Sequence, residues 1–223
     1  MPKNDYWKLS AFESAKLIKD SSISAEDLVS SCIERVNQTN NKINAIVDNL
    51  SEPALEKAHE LDKLTKKGKF KGPLHGVPIT IKENIDQKGY ATPNGLEALK
   101  DLIAPGNAPV VDNLEQDGAI VIGRTNTPEF SMRGTTDNVI HGRTYNPWND
   151  WASPGGSSGG ASAAVMSGMG SLAHGNDIAG SLRIPSTATG ACTVKPGLGR
   201  VPAFNPSQTQ ERGLVAQLMS VQG

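Results

Sequence analysis

The chain contains only two cysteines, Cys32 and Cys192, far apart. Neither a secreted disulfide framework nor a zinc site can be built from two such residues. Both are read as buried thiols that pack like small apolar side chains. The four histidines, His59, His75, His141 and His174, lack metal-ligand spacing. Charge of one sign is also missing: 22 Lys and Arg face 23 Asp and Glu. That balance offers no basic surface to nucleic acid and no acidic block for a disordered tail. No run approaches the ~18 apolar residues of a membrane span. The start, Met1-Pro2-Lys3-Asn4-Asp5-Tyr6, lacks the apolar stretch of a signal peptide. Repeats and low-complexity linkers are absent as well. These absences predict a cytoplasmic globular protein that binds no nucleic acid, membrane or metal.

What is present divides at about residue 70. Ser10-Ala11-Phe12-Glu13 is a capping-box pattern and opens a helix to about Lys19. Ser24 caps a second helix, with Glu26 and Asp27 in its first turn and a stripe of Leu28, Val29, Cys32, Ile33 and Val36. Ala45-Ile46-Val47 fits a short strand. Ser51 and Pro53 open a third helix that buries Leu55, Ala58, Leu61 and Leu64. Its end, Lys63-Lys66-Lys67-Gly68, reads as a solvated C-terminus where cations are favoured. Residues 1–70 are therefore an N-terminal helical region.

Beyond Gly72-Pro73 the period changes to two. Val77, Ile79 and Ile81 alternate with Pro78, Thr80 and Lys82, as in a strand. Residues 108–117 read as a helix ending at Gly118, and Ala119-Ile120-Val121-Ile122 as a buried strand. The small residues of 158–169 predict a closely packed helix, and Leu172-Ala173-His174 a further strand. Strands alternating with helices predict an α/β fold with a mixed sheet flanked by helices, over a catalytic core of residues 71–223.

Three residues carry the chemistry. Ser157 lies in Gly155-Gly156-Ser157-Ser158-Gly159-Gly160, Ser181 in Gly175-Asn176-Asp177-Ile178-Ala179-Gly180-Ser181, and Lys82 at a strand end. A serine hydroxyl attacks a carbonyl poorly until a base takes its proton. No histidine has a motif context here, whereas a neutral lysine can serve. Neutrality requires lowering its pKa from about 10.4 toward 7–8, about 4 kcal/mol, and burial among Val77, Ile79 and Ile81 does this. Taken singly, each feature has a plainer reading: a strand-end lysine paired with Glu83, a phosphate-binding or linker loop, a tight turn before a helix. The glycine loop is not a Walker A motif, since no Gly-Lys-Ser/Thr follows it. Small residues before Ser181 let backbone N–H groups converge near its hydroxyl, where they could stabilise an oxyanion.

With these motifs at these spacings, the chain resembles the amidase signature family over nearly its whole length. The likeness is strongest in Gly72–Asn84, Gly123–Arg133, Arg143–Trp148 and Pro154–Pro202. It implies amide hydrolysis through a Ser-Ser-Lys triad and an acyl-enzyme, without a cofactor. Ser181 would be the nucleophile, Ser157 a relay serine on a cis peptide bond, and Lys82 the base. The backbone N–H groups of Ile178, Ala179, Gly180 and Ser181 would form the oxyanion hole, and Ser131 would touch the substrate.

Three departures qualify the likeness. Glu83 replaces the usual Asp, Ala179 the commonest Gly, and the chain stops at Gly223, where family members continue. The resemblance therefore implies an incomplete fold whose apolar tail (Leu214, Val215, Leu218, Met219, Val221) lacks its cover. It predicts self-association or company with a C-terminal remainder, and little activity alone. The partner expected is a small-molecule amide, with a homodimer also open. The rival functions are the glutamine-hydrolysing subunit of a tRNA-dependent amidotransferase and an inactive truncated fragment.

Overall fold

The structure is a computed structural model that describes residues 1–208 and 221–222. Its first two helices start on side-chain caps. Ser10 and Glu13 form a reciprocal capping box at α1 (Ala11–Lys19), and the Ser24 side chain accepts from Asp27 N–H at α2 (Ala25–Ile43). Asn44 ends α2 in the left-handed region, at φ 53°. Asn40 then takes the N–H groups of Ala45 and Ile46, both at 2.9 Å, and starts β1 (Ile46–Asn49). The third helix, α3, is Ser51–Thr65.

The second half supplies β2 (Pro78–Lys82), α4 (Pro109–Gln116), β3 (Ile120–Thr125), α5 (Gly159–Met166), β4 (Leu172–Ala173), β5 (Asn176–Asp177) and α6 (Arg183–Thr189). A four-stranded sheet runs β1-β3-β2-β4. The β1–β3 pair is antiparallel and the other two are parallel, so the sheet is mixed. Apart from it, β5 pairs antiparallel with β6 (Val221–Gln222).

Two apolar clusters sandwich the four-stranded sheet. Ile120 and Ile122 pack with residues of α2, α3 and α5 on one face. Val121, Ile79 and Ile81 pack with Val110 and Val111 of α4 on the other. Strand β1 and helices α2 and α3 thus share a core with the later chain.

The sequence expectations need three adjustments. All five residues of β2 are buried, Thr80 and Lys82 included, because helices cover both faces of the sheet. The strand β3 runs past Ile122 to Thr125. Cys32 is buried, but Cys192 is exposed, since it follows the last described helix in a surface loop. Of the apolar tail, Leu214, Val215, Leu218 and Met219 lie outside the described residues.

Candidate active site

Period two puts Lys82 on the same side of β2 as Thr80, opposite Ile79 and Ile81. There it ends fully buried against the N-terminus of α5. Its Nζ lies 2.7 Å from Ser157 Oγ, 3.1 Å from Ser158 Oγ and 2.8 Å from Asn176 Oδ1. Burial pushes the amine down to about 7, while the charges of Glu83 and Asp177 work in the opposite direction.

The Ser157 loop is fixed at both ends. Thr136 Oγ1 accepts from Gly159 N–H (3.1 Å) and donates to the Gly155 carbonyl (2.9 Å). Gly155 has φ 80°, and a Cβ there would stand 2.7 Å from Pro185 Cα, so only glycine fits. The Gly156–Ser157 peptide bond is cis.

Ser181 sits at the mouth of the same site. Ser158 N–H donates to its carbonyl oxygen at 3.2 Å, and Ser157 and Ser181 both line a cleft of about 260 Å³. Among the described residues, no hydrogen bond joins the two serine hydroxyls: the Lys82–Ser157 link is made and the Ser157–Ser181 link is open. A larger groove, about 560 Å³ beside Phe12, Phe70 and His75, contains none of the three residues.

The turn before Ser181 is organised by Asp177, whose side chain is fully buried. It accepts from Gly180 N–H (2.8 Å), Leu182 N–H (3.0 Å) and Arg183 Nη2 (2.9 Å). Burial alone would raise this carboxyl, but Arg183 and the turn N–H groups hold it at about 2. One expected oxyanion donor is thereby occupied, because Gly180 N–H already has a charged acceptor. Among the described residues, Ile178, Ala179 and Ser181 N–H groups donate to none. Ala179 is not among the residues with positive φ, so its methyl group is tolerated where glycine is commonest.

Ser131 lies on the cleft wall in a turn where Phe130 and Ser131 have φ 54° and 56°. Its Oγ accepts from Asn84 Nδ2 (2.9 Å), donates to Asn94 Oδ1 (2.8 Å) and lies 3.0 Å from Thr127 Oγ1. Sequence reasoning missed Asn84, Asn94, Thr127 and Ser158 as site residues. Only Ser158, neighbour to Ser157 in the glycine loop, had a local signal. The Glu83 departure also has a structural counterpart. Its carboxylate accepts from Gly95 N–H (3.0 Å) and meets His141 Nε2 (3.0 Å), pinning two loops to the lysine strand.

The Amidase family pattern matches residues 27–215. The chain belongs to the amidase family. It is 54% identical over its full length to an indoleacetamide hydrolase of Bradyrhizobium diazoefficiens, of which it covers 42%. It is 46% identical to an acylamidase of Rhodococcus erythropolis, with 90% of the chain and 42% of the relative aligned. The chain thus spans less than half the length of these relatives. Among solved structures, a bacterial aryl acylamidase of the amidase signature family superposes with a TM-score of 0.82 at 37% identity. That match covers 87% of this chain and 40% of the acylamidase. The expected α/β fold with its mixed sheet is therefore that of the family.

Proposed function

We propose that the protein is an amidohydrolase working through Ser181, Ser157 and Lys82. The observation that carries this is the 2.7 Å contact between a fully buried lysine amine and Ser157 Oγ. With its pKa near 7, Lys82 is partly neutral at physiological pH and takes the Ser157 proton. Ser157 then takes the proton of Ser181 as Ser181 Oγ attacks the amide carbon, which requires the open link to close around substrate. The developing oxyanion faces the N–H groups of Ile178, Ala179 and Ser181, with Gly180 supporting the turn through Asp177. The proton returns through Lys82 and Ser157 to the leaving ammonia or amine. Water then attacks the Ser181 ester by the same route.

The cleft wall favours an apolar acyl group, because Phe130 and Met132 line it and stand 62% and 78% exposed. An arylacetamide such as the substrate named for the Bradyrhizobium relative fits this wall. The glutamine-hydrolysing subunit ranks below this reading, since the relatives at 54% and 46% identity are an indoleacetamide hydrolase and an acylamidase. The experiment is ammonia release from indole-3-acetamide against acetamide, with acid-quenched intact mass. Whatever turnover the parent shows should favour the aromatic amide, with the acyl group carried on Ser181. Ser181→Ala should lose turnover and acylation, and Lys82→Ala should fall by roughly 10²–10⁴. Acylation persisting in Ser181→Ala would sink the assignment.

A further inference from the structure

We propose that Asn176 is a positioning residue: one amide that aims the Lys82 lone pair at Ser157 and ties the lysine to Ser131 on the cleft wall. The proposal rests on the amidase reading above for its catalytic meaning, but its geometry stands apart from that reading.

The protons at Lys82 can be counted. A neutral lysine amine has two N–H bonds and one lone pair. Lys82 has three polar neighbours, and two of them can only accept from it. Asn176 Oδ1, at 2.8 Å, has no proton to give. Ser158 Oγ, at 3.1 Å, has one, but donates it to the Asn176 carbonyl oxygen at 3.2 Å. Both N–H bonds are therefore used, and the lone pair faces the remaining neighbour, Ser157. Asn176 enters the count twice, through its side-chain oxygen and, by way of Ser158, through its main-chain oxygen. The negative groups facing the lysine, Glu83 and Asp177, are otherwise engaged: Glu83 with Gly95 and His141, Asp177 with the 180–183 turn.

The same count fixes the next bonds. With Oδ1 turned to the lysine, Asn176 Nδ2 must point away, and it donates to Asn84 Oδ1 at 3.1 Å. Asn84 Nδ2 then donates to Ser131 Oγ at 2.9 Å, and Ser131 donates to Asn94 Oδ1 at 2.8 Å. All the donors point outward from the lysine, and flipping Asn176 alone would set its Nδ2 against the lysine N–H and its Oδ1 against Asn84 Oδ1. A threonine at 176 would keep an oxygen near the amine and lose the arm that reaches Asn84.

The test reads Lys82 directly, by the pH titration of its ¹³Cε resonance in the lysine-labelled full chain, assigned by its absence in Lys82→Met. Asn176→Leu should shift the midpoint by about one pH unit and lower kcat/KM by about tenfold to a hundredfold. Asn176→Thr should bring the midpoint back toward the parent value while KM rises severalfold above the parent's. Ser131→Ala, at the far end, should move the midpoint in the parent and not in the Asn176→Thr background. If Asn176→Leu does not fold, this last pair of comparisons decides. A midpoint indifferent to Asn176→Leu, or an equal Ser131→Ala shift in both backgrounds, overturns the proposal. The expected midpoint shifts would support the coupling whether or not amide is turned over, whereas acylation persisting in Ser181→Ala would overturn the amidase reading alone.

Discussion

Lys82 is held between two opposing influences. Burial drives its pKa down, and the carboxylates of Glu83 and Asp177 hold it up, leaving it near 7. Glu83→Gln keeps an oxygen for Gly95 N–H but deletes the nearer of these charges in the chain. We expect the Lys82 pKa to fall further and the acid limb of kcat/KM against pH to move to lower pH. A limb that stays in place or moves up would show that the limb belongs to another group. At this scale the sequence was legible only where chemistry demands one residue type in one setting. Lys82, Ser157 and Ser181 stood out because a base and two hydroxyls lay beside glycine-rich backbone. Asn84, Asn94, Thr127 and Asn176 were silent as a set. Amides and hydroxyls are common, and their meaning here comes from partners brought together by folding. The Gly180 donor misled for the same reason: spacing shows that an N–H is near, but not that Asp177 has already taken it.

Among the elements, α5 and the turn after β2 position the lysine and the serines. The end of β2 is fastened by Arg124, fully buried, whose Nη2 donates to the carbonyls of Glu83 (2.7 Å) and Ile85 (3.0 Å). Its Nη1 reaches Asp48 (2.9 Å) and the Ala91 carbonyl. Arg124→Met would strand three of these acceptors, and we expect a loss of about 3 kcal/mol or more in urea unfolding. A loss below about 1 kcal/mol would mean that the turn finds other donors. Helix α5 approaches the end of β3 so closely that a Cβ on Gly160 would lie 2.5 Å from Asn126 N and 2.6 Å from Asn126 O. Backbone cannot yield as a flexible side chain does, so Gly160→Ala should push the helix outward. The expected cost is about 1–3 kcal/mol, with activity falling about a hundredfold as Ser157 leaves the lysine. Activity retained alongside the stability loss would separate the packing of α5 from the placement of Ser157. Capping signals made two helix starts readable, since α1 and α2 begin after Ser10 and Ser24, whereas α3 starts at Ser51 itself, behind Leu50, with no side-chain cap. The extent of β3 was not readable, because Gly123-Arg124-Thr125 carries no apolar pattern. Its strand state comes from pairing with β1 and β2.

Across the whole molecule, a buried base should leave a mark on stability. The ordinary pKa of lysine is 10.5, and in the folded chain Lys82 titrates near 7. Between these values the unfolded chain holds a proton there that the folded chain lacks. The penalty for burying the lysine is therefore full below pH 7 and is relieved as pH rises toward 10.5. Cys32 acts in the opposite direction at higher pH. Burial pushes its thiol from 9.0 up to about 12, so above pH 9.0 the folded chain keeps a proton that the unfolded chain has lost. Asp177, ionised in the folded chain down to about 2, contributes above 3.8 and loses that contribution only as pH falls toward 2. The three windows leave Lys82 as the resolved buried contributor between pH 7 and 9. We expect unfolding free energy to climb across that interval with a slope of up to about 1.4 kcal/mol per pH unit, then to level off. In Lys82→Met the climb should vanish, whatever the variant's absolute stability. That absolute value mixes relief from desolvation with the loss of a partner for Asn176, Ser157 and Ser158, whereas the slope counts protons alone. Urea unfolding of both chains at pH 7, 8 and 9 separates the two effects. An equal climb in the variant would place the titrating group elsewhere and leave Lys82 charged in the folded protein, unable to serve as a base at neutral pH.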